Sequence, residues 1–172
     1  MTHEIWICGV LRAVGAFYAL GSVFVLWGTL TSALVEQATA AIKLKPLSAA
    51  AIWRARWLAG SALLLLACGL SLIMLLSWAV PLFLLSTAGQ ALYLAVLAPR
   101  FFDPVDKPEA ADRQGTRNAL VVFAVVTALV LAVGSAGWLK HWRDHPEPIL
   151  AGVAGLWLFA AAYTVVNLRS IK

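Results

Sequence analysis

Residues 57–98 read WLAGSALLLLACGLSLIMLLSWAVPLFLLSTAGQALYLAVLA, forty-two positions without one charged side chain. As a helix at 1.5 Å per residue the run would span about 63 Å, twice the ~30 Å hydrocarbon core of a bilayer. It therefore holds two crossings. Pro81 marks the divide, because proline fits the first turn of a helix, where its missing N–H costs nothing. A tight hairpin around Ser77–Val80 is expected, with helices at about 57–78 and 81–98; a re-entrant pair is the alternative geometry.

Three further apolar segments flank this pair, at about 5–35, 119–139 and 149–168. The first is about 46 Å long as a helix and must tilt strongly or project from the bilayer. The expected fold is all-α: a polytopic integral membrane protein, one transmembrane domain over residues 1–172, built as a bundle of five helices. Composition agrees. The chain is 62% hydrophobic and 12% charged, with a mean hydropathy of +0.88, whereas a soluble domain carries about 25% charged residues. That balance excludes a disordered tail, a nucleic-acid-binding domain and an ordinary cytosolic enzyme. No Lys or Arg precedes Arg12, and the first apolar run is too long for a cleaved signal peptide. Cys8 and Cys68 lie in separate apolar segments and read as inert packing residues.

Charge sets the expected orientation. Lys43, Lys45, Arg54, Arg56, Arg100, Lys107, Arg113, Arg117, Arg169 and Lys172 fall on one side of the five crossings, against Lys140 and Arg143 on the other. The positive-inside rule then puts the N-terminus outside and the C-terminus in the cytoplasm, in a cell membrane read as a bacterial inner membrane. Trp6, Trp53, Trp57, Trp78, Trp138 and Trp142 fall at the expected interfaces, where an amphipathic ring is at home. Trp27 and Trp157 sit deeper and read as packing residues. A faint repeat, Ala91-x-Tyr93-x-x-Val96 and Ala161-x-Tyr163-x-x-Val166, raises tandem duplication of a two-helix hairpin.

Small residues mark candidate helix contacts. Ala124, Ala128, Ala132 and Ala136 form an i, i+4 ridge, Gly152 and Gly155 lie on the fifth helix, and Gly15 with Ala19 on the first. They read as internal bundle packing or as a face for a partner protein or second copy. Intramembrane polar groups are few: Arg12, with Glu4, Asp144 or Glu147 as its expected partners, and Gln90, expected to bond a neighbouring helix. This scarcity counts against a proton-coupled transporter. No His lies at membrane depth, which argues against internal haem ligation and a serine–histidine protease, and there is no HExxH or P-loop.

His3, His141 and His145 map to one face of the membrane. A helical extension past Leu139 would align His141 with His145, and Met1-Thr2-His3 has a spacing suited to square-planar copper. In the loop at 100–118, Asp106 with Glu109 resembles a capping box; Gly115 would end a short surface helix, and Thr116 would cap the fourth crossing. Phe101-Phe102-Asp103-Pro104 offers a docking element. Lys43, Lys45, Trp53, Arg54, Arg56 and Trp57 read as anchors to anionic lipid headgroups.

The function expected first is a non-catalytic accessory or assembly subunit of a larger membrane complex. Its partners would be membrane lipids and other membrane-protein subunits or a second copy, with no cofactor and no nucleic acid. Second comes a metal-handling (copper-type) or small-solute membrane protein using the three histidines. Third is a small oligomeric channel lined by Gln90, Ser86 and Thr87.

Overall fold

The computed structural model describes residues 2–44, 46–102 and 110–170, with side chains over 5–44, 46–102 and 113–169. The described chain is helical, in five segments: α1 Thr2–Ile42, α2 Ala49–Ile73, α3 Ala79–Leu92, α4 Ala110–Ser135 and α5 Glu147–Ser170. A π-helical stretch, Tyr93–Phe102, continues α3. Each of the five spans is long and apolar enough to cross a membrane. The protein is an all-α, multi-pass membrane protein.

The largest departures from the sequence reading lie at the charged end that carries Arg54 and Arg56, called here the basic end. α1 runs to Ile42 rather than 35, because Glu36 and Gln37 are good helix formers and nothing breaks the pattern before Pro46. α2 starts at Ala49 rather than 57, capped by Ser48, whose Oγ accepts the Ala51 N–H at 3.2 Å. The expected loop at 36–56 is thus mostly helix, and Arg54 and Arg56 stand on α2. Nor does Gly115 end a surface helix, or Thr116 cap a crossing, for α4 passes unbroken through both. Mid-helix glycine costs only about 1 kcal/mol, and the Gln114–Asn118 side-chain bond (3.2 Å) supports the same turn. Asp106, Pro108 and Glu109 lie outside the described residues.

At the opposite end, helix stops are chemically defined. In α4 the Trp138 N–H reaches the Val133 carbonyl and the Gly137 N–H reaches Gly134, with Gly137 at φ +77°. This is a Schellman closure, and it ends the helix at Ser135 rather than 139. α2 closes in the same way around Leu75, at φ +54°: the Leu76 N–H bonds Ser71 and the Leu75 N–H bonds Leu72. The α2–α3 turn and the α4–α5 loop then join, the Ser77 N–H donating to the Lys140 carbonyl (2.9 Å) and the Lys140 N–H to Leu75 (2.7 Å). Gly137→Ala should lower stability by about 1 kcal/mol, since only glycine adopts this φ without penalty. A thermal melt in detergent would measure it.

α2 is the hub. It packs extensively on α1 and also touches α3 and α5, while α4 is carried by α3. α1 and α2 cross at small residues, where Gly15, Ala19 and Gly69 bring the two backbones together. Beside the crossing sits the main core of Leu11, Cys68, Leu72, Leu75, Ala79, Phe83, Phe123 and Val130. Tyr18, Phe83 and Phe123 close it as a ring cluster drawn from α1, α3 and α4. A smaller core, Leu26, Leu30, Ala59 and Ala62, reaches Leu168 of α5. Trp157 ties α5 to α2 by donating its indole N–H to the Leu63 carbonyl at 3.0 Å. Trp27, by contrast, is 72% exposed on α1 and is no packing residue.

The duplication that the faint repeat raises finds no counterpart in the packing of the described residues. α2 and α3 pack as a hairpin, whereas α5 leaves α4 to lie on α1 and α2. The matched tyrosines differ as well: Tyr93 is stacked between rings, and Tyr163 is 55% exposed.

Candidate functional site

A recess with polar walls opens between α1 and α2 at the basic end. It holds about 460 Å³ and is lined by Thr29, Ser32 and Glu36 of α1, Arg54 of α2, Tyr93, and apolar residues including Val25, Ala33 and Leu58. The α1 residues fall on one stripe because 25, 29, 32 and 36 recur at helical spacing. Arg54 meets them because α2 begins eight residues earlier than its apolar run suggests. Its Nη2 donates to Glu36 Oε1 at 3.2 Å in a salt bridge, with both side chains partly exposed. The Thr29 hydroxyl donates to the Val25 carbonyl at 2.8 Å. Tyr93 stacks on Trp57, centroids 6.4 Å apart, and against Phe102 at 5.8 Å.

Five of the six expected lipid anchors fall among the described residues. Lys43 and Trp53 are exposed, as is Arg56, whose guanidinium lies 5.6 Å from the Trp53 ring centroid. Arg54, however, holds Glu36, and Trp57 supports Tyr93. Lys45 lies outside the described residues. Phe102 is buried under Tyr93 and Phe101 is exposed, while Asp103 and Pro104 of the proposed docking element are outside the described residues.

The helical extension expected to align His141 with His145 does not form. Past Gly137 the chain is extended at His141, turns once through a 3₁₀ helix at Trp142–Asp144, and is extended again at His145. No helical face carries both imidazoles. His141 Nδ1 instead accepts the Arg143 N–H at 3.4 Å, capping that turn. The side chain of His3 lies outside the described residues, and no group of three His, Cys, Asp or Glu suited to a metal occurs among the described ones.

Gln90 does not reach a neighbouring helix; its Nε2 donates to Ser86 Oγ, one turn back, at 3.5 Å. A side-chain hydrogen bond between helices forms nearby, Thr87 to Thr127, hydroxyl to hydroxyl at 2.8 Å between α3 and α4. Sequence reading missed it because threonine is common in apolar helices. Arg12 is exposed and, among the described residues, pairs with neither Asp144 nor Glu147.

The alanine ridge does not serve internal packing. α4 buries Phe123, Thr127 and Val130, leaving Ala124, Ala128, Ala132 and Ala136 exposed on its other side. Gly152 and Gly155 of α5 are exposed too, with open space where a Cβ would stand. Comparison with protein-family models, curated proteins and solved structures finds no match.

Proposed function

We propose that the protein is a non-catalytic subunit that acts by packing against other membrane helices, as an accessory or assembly component of a larger complex. The observation that carries this reading is the outward alanine ridge of α4, set against the buried Phe123, Thr127 and Val130 on its inner side. Lipid tails are as apolar as leucine, so helices associate in a bilayer through close packing, and small residues at i, i+4 permit it. α5 adds support, because Thr164 is its one buried side chain among the described residues. Short loops and Ala-rich helices support an inner-membrane setting of bacterial type, and the Lys/Arg bias supports the basic end in the cytoplasm and the N-terminus outside.

Purification from the native membrane in mild detergent tests the reading. The chain should run with stoichiometric amounts of other subunits or further copies of itself. Ala128→Leu with Ala132→Leu should weaken that association about tenfold or more, as overpacking one interface would. Helicity and melting temperature of the chain itself should hold. A wild-type chain that runs alone, or a doubly substituted one that keeps its partners, defeats the proposal.

A further inference from the structure

We propose that the recess between α1 and α2 at the basic end binds the headgroup of an ethanolamine-class phospholipid, Arg54 facing the phosphate and Glu36 the primary ammonium. The inference is independent of the subunit reading. Glu36 and Arg54 put opposite charges side by side in a recess of about 460 Å³, both partly exposed. A lone anion entering there meets the Glu36 carboxylate, and a lone cation meets the Arg54 guanidinium. A ligand carrying both charges close together satisfies each. Exposed ion pairs are weak and exchange readily, so the pair can rearrange around such a ligand.

Position and lining agree. Lys43, Trp53 and Arg56 surround this end of the molecule, the residue types that seat a helix at headgroup level. Val25, Ala33 and Leu58 give the recess apolar walls against which an acyl chain can lie. The Thr29 hydrogen is committed to the Val25 carbonyl, so toward a ligand that hydroxyl accepts. Glu36 and Thr29 together therefore favour a headgroup with N–H donors. A quaternary ammonium has none, and it is held instead by a cage of aromatic rings, whereas the single ring lining this recess is Tyr93.

The test is native mass spectrometry of the full chain, challenged with equal amounts of phosphatidylethanolamine, phosphatidylcholine and phosphatidylglycerol. The ethanolamine lipid should be retained about tenfold over each of the others, the effect of one charge-assisted hydrogen bond. Glu36→Gln should remove that preference, Glu36→Asp should restore it, and Arg54→Gln should lower retention of all three lipids. Circular dichroism and melting of each variant separate these effects from misfolding. Equal retention of the three lipids by the wild type, a preference for phosphatidylglycerol, or an unchanged preference in Glu36→Gln overturns the proposal. Soluble phosphoethanolamine in excess should leave the lipid bound. Its displacement of the lipid would overturn the lipid as ligand in favour of the soluble compound.

Discussion

Gly69→Leu is expected to take apart the α1–α2 contact and to give a chain that no longer melts as one cooperative unit. A Cβ at Gly69 would stand 2.5 Å from the Ala19 nitrogen, 2.7 Å from the Gly15 carbonyl oxygen and 2.9 Å from the Ala19 Cα. These are backbone atoms and cannot rotate aside. The reverse holds at Gly15, where a Cβ would lie 2.7 Å from the Ile73 nitrogen and 2.8 Å from the Gly69 carbonyl oxygen. Overpacking a tight core costs about 1–3 kcal/mol, so Gly69→Ala should fall at the upper end of that range and leucine beyond it. The damage should spread, because α5 rests on both α1 and α2. Thermal unfolding in detergent measures the effect, with Gly60→Ala and Gly152→Ala as comparisons, since a Cβ at either meets nothing within 4 Å. A Gly69→Ala protein as stable as wild type would mean that the helices do not cross at this point.

Phe83→Ala should loosen α4 from the rest of the molecule, at a cost of about 3–5 kcal/mol. Phe83 is fully buried, stacked on Phe123 of α4 at 5.5 Å and edge-on to Tyr18 of α1 at 5.7 Å. Tyr18 completes the cluster against Phe123 at 5.3 Å. In a bilayer the loss comes from missing contacts and ring–ring attraction rather than from exposure to water. Without the ring, α4 keeps the Thr87–Thr127 bond and the link between the end loops, neither of which fills the space. Hydrogen exchange should therefore rise in α4 while the middle of α2 stays protected. Phe83→Leu, which keeps much of the volume, should show a smaller change. Equal exchange in α4 of wild type and Phe83→Ala would show that the ring cluster does not hold the helix.

The five crossings were legible because a bilayer imposes one simple demand: about twenty apolar residues per span and charges at the ends. The same logic misplaced α1 and α2 at the basic end. Hydropathy assigns Arg54 and Arg56 to a loop, since it reports where a helix leaves lipid and not where it stops. The recess shows the consequence. Glu36 and Arg54 are eighteen positions apart and belong to different helices, so no local pattern joins them. His141 and His145 erred in the other direction, because an i, i+4 spacing has meaning only on a helix and Gly137 had already ended one.

The alanine ridge and the glycines divide along the same line. Spacing marks Ala124, Ala128, Ala132 and Ala136 as one stripe, and Gly15 with Ala19 as another, but a stripe does not say which way it faces. In water, polarity would tell the inner face from the outer; in lipid both are apolar, and that signal vanishes. Fold class and the number of spans therefore belong to the sequence, through hydropathy and charge. Which helices touch, which small residues meet a neighbour, and which charges share a recess were decided only by the packing of α1 on α2 and of α3 on α4, where shape rather than polarity selects the contact.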